Sequence, residues 1–261
     1  MGRSFVVTGG GRGIGKAVVE RLLGETDYVV AIELDPAALA WTANHPAGAR
    51  ILPLAGDAGD EATSERAADL AQAAGSLTGW VNNAAVFRDA ALHERPAREV
   101  LDLIALNLAP VVAGCASAVR RFLAAGTGGA IVNVSSHQAQ RAVAGALPYA
   151  TAKAAIEGLT RALAVDYGSA GIRVNAVALG SIVTERYASL LAHQTPREAE
   201  RTHAQMALLH PLGRPGRSHE VAAAIAHLLS HEASFITGAV VPVDGGRAAQ
   251  GQDPEGRPPL A

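Results

Sequence analysis

The stretch Phe5-Val-Val-Thr-Gly-Gly-Gly-Arg-Gly-Ile-Gly15 runs from an apolar, β-branched segment directly into a helical pattern. Glycines let a backbone turn tightly and approach a pyrophosphate, and a helix N-terminus offers free N–H groups and the positive end of a dipole. A glycine-rich loop by itself is weak evidence, because ordinary turns also contain one. Since strand, loop and helix follow one another here, the stretch predicts a dinucleotide-binding β–α unit at the start of the chain.

Beyond that unit, short apolar runs alternate with longer helical patterns. The runs are apolar throughout, which is typical of strands buried on both faces. This order predicts an α/β fold, a doubly wound Rossmann-type three-layer α/β/α sandwich with a seven-stranded parallel sheet. The predicted strands are Ser4–Thr8, Tyr28–Glu33, Arg50–Ala55, Gly79–Asn82, Ala130–Ser135, Arg173–Ala178 and Val240–Val243, and the predicted helices are Ile14–Gly24, Pro36–Asn44, Asp60–Ala74, Arg98–Ala124, Leu147–Gly168 and His219–His231.

The same pattern predicts the domain organisation. No internal repeat or composition shift interrupts it, so residues 1–246 are predicted to form a single nucleotide-binding domain. The segment 181–217 is polar and helix-prone and follows the sixth strand, where a substrate lid is expected. Residues 247–261 are rich in Gly, Pro and charge, and predict a mobile C-terminal tail.

The composition disfavours several classes of function. Twenty-two basic against 24 acidic residues give a net charge of −2, without the basic footprint of a nucleic-acid-binding protein. The single cysteine, Cys115, excludes an intrachain disulfide and fits a reducing compartment. No signal-peptide segment precedes the first strand, and no uncharged apolar run reaches the ~20 residues of a membrane span. We therefore expect a cytoplasmic protein with no membrane or nucleic-acid partner. His219, His227 and His231 lack further ligands at fixed spacing, so no metal site is predicted.

A candidate proton-transfer pair occurs in Tyr-Ala-Thr-Ala-Lys, where Tyr149 and Lys153 lie four residues apart. A lysine ammonium one helical turn away favours the phenolate and lowers the phenol pKa from its usual ~10. Such a pair can give a proton to a carbonyl oxygen, or take one from an alcohol, near pH 7. The spacing alone is weak evidence, but Ser136, where the predicted strand Ala130–Ser135 runs into a loop, lies thirteen residues upstream and adds a hydroxyl.

The loop Thr8–Gly15, with its Thr-Gly-x-x-x-Gly-x-Gly spacing, and the Tyr149/Lys153 pair together resemble the short-chain dehydrogenase/reductase family, in its compact single-domain branch. The resemblance covers roughly Arg3 to Gly246. It implies an NAD(P)-dependent enzyme acting on CH–OH groups, with a small-molecule alcohol or ketone as substrate. It implies a catalytic tetrad in which Ser136, rather than Ser135, holds the substrate oxygen, Tyr149 is the acid/base, Lys153 holds the nicotinamide ribose and Asn107 holds a water linked to that lysine.

The choice between NAD and NADP depends on the residues near the second strand. Glu33 ends that strand, where a carboxylate can accept hydrogen bonds from the adenosine ribose and would repel a 2′-phosphate. Arg12 argues the other way, because some NADP-dependent relatives use a loop arginine for that phosphate. The two acids Glu33 and Asp35 leave NAD favoured and NADP less so. The predicted cofactor-binding residues are Gly9, Gly11, Arg12, Gly13, Ile14, Gly15, Glu33, Asp57, Ala58, Asn83, Ala84, Tyr149, Lys153, Ile182 and Thr184.

The predicted function is that of an NAD-dependent oxidoreductase interconverting a secondary alcohol and a ketone, and the resemblance further implies a homotetramer. Two alternatives remain open: an NADPH-dependent 3-oxoacyl reductase, which Glu33 disfavours, and a catalytically silent dinucleotide-sensing regulator, which the retained tyrosine and lysine disfavour. Ala85 and Leu179 depart from the family pattern, which has a glycine and a proline there. The substrate pocket is expected to be built from the loop after Ala85, from 137–148 and from the lid.

Overall fold

The structure, a computed structural model, describes residues 2–251 of the 261-residue chain. Strands and α-helices alternate through most of this range, as the sequence predicts. The strands are β1 (Arg3–Thr8), β2 (Tyr28–Glu33), β3 (Ile51–Ala55), β4 (Ser76–Asn82), β5 (Gly129–Ser136), β6 (Ile172–Leu179), β7 (Ile182–Val183), β8 (Gly216–Arg217) and β9 (Val240–Val243). The α-helices are α1 (Gly13–Leu22), α2 (Glu61–Ala74), α3 (Ala97–Ala125), α4 (Leu147–Tyr167), α5 (Glu185–Ala192), α6 (Pro196–Leu209) and α7 (Ser218–Leu229).

The main sheet confirms the predicted seven-stranded parallel architecture. Its strand order is β3-β2-β1-β4-β5-β6-β9, and all neighbouring strands are parallel. The order reverses between β1 and β4, because the chain first builds outward from β1 to β3 and then returns to build from β4 to β9. Sheets of this kind bind ligands beyond the carboxyl ends of the strands, at that point of reversal.

Helices cover both faces of the sheet and produce the predicted three layers. On one face, α1 and α7 pack over strand residues that include Val7 and Ala31. On the other face, α2, α3 and α4 pack over residues that include Val6 and Ile32. Neighbouring residues of β1 are thus buried in opposite layers. Burial on both faces is the physical reason why the strand sequences are apolar throughout.

The segment 181–217 forms a small substructure of its own. It contains α5 and α6, and the short strands β7 and β8 pair in parallel at its two ends, with Ile182 opposite Gly216. Helix α6 begins with a capping box in which Thr195 and Glu198 satisfy each other's backbone N–H groups. The two-residue strands had no signal in the sequence, because each is too short to show a period.

The residues just after β9 pack more closely than the predicted tail implies. The N–H of Arg247 donates to the Asp244 carbonyl at 3.2 Å, and that of Ala248 donates to Asp244 Oδ2 at 2.7 Å. The N–H of Gln250 donates to the Gly246 carbonyl at 3.2 Å. The Asp244 carboxylate thus holds the first residues of the predicted tail in a turn, and the mobility of that tail stays a prediction. The remainder of the predicted tail, 252–261, lies outside the described residues.

Helix α3 is notable for its length and apolar composition. Among the described residues it is the one helix that is long and apolar enough to cross a membrane, judged by length and composition alone. The core helix of a globular domain passes the same test. Here Val111, Ala118 and Phe122 of α3 are buried against the sheet and its neighbouring helices, as in such a core helix.

Candidate active site

A cleft of about 970 Å³ lies at the carboxyl ends of the parallel strands. Because these ends meet at one edge of the sheet, the cleft brings together side chains that are far apart in sequence. All predicted site residues except Gly11 and Asn107 line it. Those that line it are Gly9, Arg12, Gly13, Ile14, Gly15, Glu33, Asp57, Ala58, Asn83, Ala84, Ser136, Tyr149, Lys153, Ile182 and Thr184.

The glycine loop between β1 and α1 is shaped to admit a ligand backbone closely. Gly9 has φ +65°, a left-handed conformation that favours glycine. A Cβ added at Gly15 would clash with the Gly9 carbonyl oxygen and lie 2.7 Å from Asn83 Nδ2. The amide of Asn83 donates to the carbonyls of Thr8 and Gly9 at 3.1 and 3.2 Å, which fixes the loop against β4. The cradle at the N-terminus of α1 therefore fits a dinucleotide pyrophosphate.

Thr8 is a site residue to which the sequence analysis gave no role. Its buried Oγ1 accepts from the N–H groups of Asn83 and Ala84 at 2.9 and 3.0 Å, and so ties the end of β1 to the segment after β4. These are the two strands at which the sheet order reverses. The geometry of the loop thus depends on the Thr8 hydroxyl, which the sequence shows only as the residue before the glycines.

The acidic and basic groups beside the glycine loop are paired in a defined way. Glu33 Oε2 accepts from the N–H of Gly11 at 3.1 Å, and its Oε1 accepts from the N–H of Leu34 at 2.9 Å. Gly11 therefore supports the carboxylate rather than lining the cleft. The guanidinium of Arg12 forms an ion pair with Asp35. The one cation that favoured NADP is thus engaged by an acid, while Glu33 remains beside the cleft.

Lys153 lies beneath Tyr149 on α4, as their spacing predicts. Its side chain is buried, and Nζ donates to the Val134 carbonyl at 2.7 Å. Nζ is 5.3 Å from the centroid of the tyrosine ring. Burial lowers the pKa of Lys153 to about 8, so the ammonium still carries most of its charge at neutral pH. A positive charge at this place favours the phenolate form of the tyrosine.

Ser135 and Ser136 face different surroundings, since alternate residues of a strand point to opposite sides. The hydroxyl of Ser135 donates to Glu157 Oε1 of α4 at 3.1 Å. Ser136 Oγ accepts from the N–H of Gln138 at 3.2 Å and retains its proton for another partner. The geometry supports the choice of Ser136 over Ser135 as the residue available to a substrate oxygen.

A buried polar network holds α4 against the sheet at the level of this site. Asn82 Nδ2 donates to Asn133 Oδ1 at 2.9 Å, and Asn133 Nδ2 donates to Thr160 Oγ1 at 3.0 Å. Together with the bond from Ser135 to Glu157, these contacts connect β4, β5 and α4. Buried polar groups that are satisfied in this way define one position for a helix, which fixes where Tyr149 and Lys153 point.

Asn107 lies behind the cleft rather than in it. Its side chain is buried in α3, and Oδ1 accepts from the N–H of Val86 at 2.9 Å. The contact holds the segment after β4, which forms one wall of the cleft. The water-binding role that the resemblance implies for Asn107 stays a prediction.

The wall above Tyr149 contains an aromatic contact that the sequence did not indicate. The rings of Phe87 and Tyr149 stack with centroids 4.5 Å apart and an interplanar angle of 28°. Phe87 lies in the loop after Ala85, one of the three segments expected to build the substrate pocket. Three further residues add apolar surface: Leu106 from α3, Val143 from the loop that precedes α4, and Met206 from α6. The substrate end of the cleft is therefore largely apolar, with polar groups at fixed points.

The two departures from the family pattern are accommodated locally. Leu179 is buried at the end of β6, opposite Val243 of β9, and the N–H of Gly180 continues the ladder to the Val243 carbonyl at 3.1 Å. Ala85 lines the cleft without belonging to a strand. Leu179 therefore continues the pairing of β6 with β9, at a position where a proline would lack the backbone N–H.

Comparison with known proteins places this chain among oxidoreductases. The family model described as enoyl-(acyl carrier protein) reductase matches residues 9–248. The chain is 40% identical over 258 residues to cis-4-hydroxycyclohexanecarboxylate dehydrogenase of Sinomonas cyclohexanicum, covering 95% of this chain and 100% of that protein. It is 37% identical over 254 residues to 3-oxoacyl-(acyl-carrier-protein) reductase of Pseudomonas aeruginosa, covering 94% and 97%.

A solved structure shows the same architecture. It is the gluconate 5-dehydrogenase of Burkholderia cenocepacia in complex with NADP and tartrate. The TM-score is 0.83 at 27% identity, and the match covers 95% of this chain and 96% of that one.

Proposed function

The chain belongs to the short-chain dehydrogenase/reductase family, and on that premise we propose that it is an NAD-dependent oxidoreductase interconverting a secondary alcohol and a ketone. Members of this family use NAD(P), and this chain is such an enzyme, acting on CH–OH groups. The observation that carries the proposal is the convergence of Ser136, Tyr149 and Lys153 at one end of a cleft whose other end is the glycine cradle.

In this proposal each side chain has one task at the reacting oxygen. Ser136 donates its free proton to the substrate oxygen and so holds it beside Tyr149. Tyr149 removes the hydroxyl proton when the alcohol is oxidised, and returns it when the ketone is reduced. Lys153 favours the phenolate by its charge and offers its ammonium protons to the nicotinamide ribose. NAD, when bound, accepts or gives the hydride.

The preference for NAD rests on this chain's own residues. The similar gluconate 5-dehydrogenase was solved with NADP, so the family alone does not decide the cofactor. Here the Glu33 carboxylate lies where a ribose 2′-substituent is expected, and the arginine of the glycine loop, Arg12, is paired with Asp35. A 2′-phosphate would meet the Glu33 carboxylate as a like charge, whereas ribose hydroxyls would meet it as a hydrogen-bond acceptor.

Tyr149→Phe tests the chemistry most directly, because it keeps the ring stacked on Phe87 and removes only the hydroxyl. We expect turnover of secondary alcohols to fall by about 10²–10⁴-fold, the range of general acid–base catalysis, with the NAD dissociation constant unchanged. Tyr167→Phe, at the end of the same helix, is the matched control and should keep full activity. Retained activity in Tyr149→Phe would exclude this mechanism.

The alternatives are separable by simple measurements. The similarity to a 3-oxoacyl reductase favours that activity as a second candidate, which requires turnover of a 3-oxoacyl thioester with NADPH. A silent nucleotide sensor would bind NAD and turn over neither substrate class. Thermal stabilisation by NAD against NADP, followed by assays on alcohols and on a 3-oxoacyl thioester, distinguishes the three.

We also propose a cytoplasmic homotetramer. Helices α3 and α4 expose apolar side chains, including Leu101, Val112 and Val165, the last at 82% exposure. Phe235, just before β9, is fully exposed. Such positions on both helices and beside the edge strand β9 fit the two interfaces implied by the family resemblance. Sedimentation velocity should give a tetramer, and a monomer would contradict this assignment.

A further inference from the structure

One end of the cleft contains a cation that the proposed reaction does not use. Arg247, in the turn after β9, lines the cleft together with His137 and Gln138, the residues that follow Ser136. Its Nη1 donates to Ser181 Oγ at 2.9 Å. Ser181 immediately precedes β7, so the guanidinium is anchored where the lid begins, next to the substrate end of the cleft.

The guanidinium of Arg247 has donors to spare. Within residues 2–251 no carboxylate oxygen lies within 4.0 Å of it. Asp244 contributes its electric field, but both of its carboxylate oxygens accept backbone N–H groups, from Gly246 at 2.9 Å and Ala248 at 2.7 Å. Burial lowers the pKa of Arg247, which reports that its charge is partly removed from water. A half-buried arginine of this kind is stabilised by an anion that completes its fork of N–H donors.

His137 and Gln138 bring no charge to this end of the cleft. His137 is 7% exposed, and its Nδ1 is buried with no hydrogen-bond partner in the described part of the chain. Burial and the nearby charge of Arg247 lower the pKa of His137 to about 4, so its ring is neutral at pH 7. Gln138 is uncharged, and its Oε1 is also buried.

His210 behaves differently and explains why the anchor is rigid. Its Nδ1 contacts the Met206 carbonyl at 2.7 Å, and its Nε2 accepts from the N–H of Ser181 at 3.2 Å. Both ring nitrogens are therefore satisfied. Through them, α6 of the lid holds Ser181, and Ser181 holds Arg247.

We propose that Arg247 forms a carboxylate-binding subsite, so that the substrate is a secondary alcohol, or the corresponding ketone, that also carries a carboxylate. The inference rests on the proposed function, since it places the carboxylate in the same cleft as an oxygen held by Ser136. A planar carboxylate can accept two N–H groups from the guanidinium.

Binding to the NAD complex tests the subsite without requiring turnover. The probes are 3- and 4-hydroxycyclohexanecarboxylate and 3-hydroxybutanoate, each compared with its neutral carboxamide by titration calorimetry. We expect the acids to bind at least about 10-fold more tightly than the amides, from the 1.5–3 kcal/mol of a charged hydrogen bond. Arg247→Gln should remove this difference, and Arg247→Lys should keep part of it. Arg21→Gln, an exposed arginine of α1, is the control and should keep it fully.

The outcomes separate the subsite from the reaction. Tight binding of the acids that is lost in Arg247→Gln, without turnover by the wild type, would support the subsite and reject the proposed activity. Turnover of neutral alcohols with no preference for any acid over its amide would support the activity and overturn the subsite. Equal losses for acid and amide in Arg247→Gln would also overturn it, because they would indicate a structural role.

Discussion

Replacing Glu33 by glutamine should remove most of the discrimination between NAD and NADP. The substitution keeps the size of the side chain and one acceptor oxygen, so the contact with the N–H of Gly11 at 3.1 Å can persist. What it removes is the negative charge beside the ribose. The perturbation therefore acts on cofactor choice, and the fold should be unaffected.

The magnitude follows from two terms. Two unit charges 4 Å apart repel by about 1 kcal/mol in water and about 4 kcal/mol at an effective dielectric constant of 20. Glu33 is partly exposed, so we take about 1–2 kcal/mol for the relieved repulsion of a 2′-phosphate. Losing the charge from a hydrogen bond to the ribose weakens NAD by about 1 kcal/mol. Together they change the ratio of the two dissociation constants by about 30–150-fold.

The assay is calorimetric titration of each cofactor into wild type, Glu33→Gln and Asp35→Asn, at low and high salt. Asp35→Asn should act on NADP alone, because it frees Arg12 and leaves Glu33 in place. The effects on NADP should shrink as salt rises, since exposed charges are screened. A ratio of the two dissociation constants that moves less than about threefold in Glu33→Gln, against the roughly 30–150-fold argued above, would refute the reasoning.

Three further predictions concern buried or crowded positions. Gly15→Ala should weaken NAD binding by about 10-fold, because the added carbon meets the loop backbone and overpacking costs about 1–3 kcal/mol. Gly168→Ala, where an added carbon has nothing within 4 Å, is the control and should leave NAD binding unchanged. Equal NAD affinity of the two variants would contradict this prediction. Lys153→Met should abolish turnover yet stabilise the folded protein by about 2 kcal/mol at pH 7. A lysine pKa lowered to about 8 means that the buried charge costs about 3 kcal/mol of folding free energy. The lost hydrogen bond to the backbone offsets about 1 kcal/mol of the gain. Urea titrations should show that the stability gain of Lys153→Met over wild type shrinks between pH 8 and 10.5, where Lys153 of the folded wild type loses its proton. A gain that grows over this pH range would contradict the prediction. His137, with a pKa lowered to about 4, should cost the wild type up to about 3 kcal/mol of stability as pH falls from 6.5 to 4, and His137→Gln should show a correspondingly smaller loss by the same method.

Local sequence patterns were sufficient to predict the parallel sheet, the glycine loop and the shared helix face of Tyr149 and Lys153. Strands buried on both faces must be apolar throughout, and a loop that approaches a pyrophosphate must contain glycines at fixed places. Tyr149 and Lys153 share a helix face because they are four residues apart. In each case the physical constraint acts within one or two elements, so it leaves a recognisable trace in consecutive residues.

The remaining features depend on contacts between distant segments. The Gly- and Pro-rich surroundings of Arg247 predict a mobile tail and do not show that its guanidinium contacts Ser181 in the cleft. The sequence offers Arg12 as a ligand for a 2′-phosphate and does not show that Arg12 pairs with Asp35. Likewise, nothing around Phe87 predicts that it stacks on Tyr149.

The sequence by itself determined the fold class, the place of the glycine loop and the spacing of the tyrosine–lysine pair. Only the tertiary structure decided which charges are already paired, which cation lines the cleft, and which aromatic ring covers the tyrosine. The physical reason is that charge pairing and burial are properties of three-dimensional neighbours. Residues 66 positions apart, such as Ser181 and Arg247, meet because parallel strands end at one edge of a sheet, and no local pattern records that meeting.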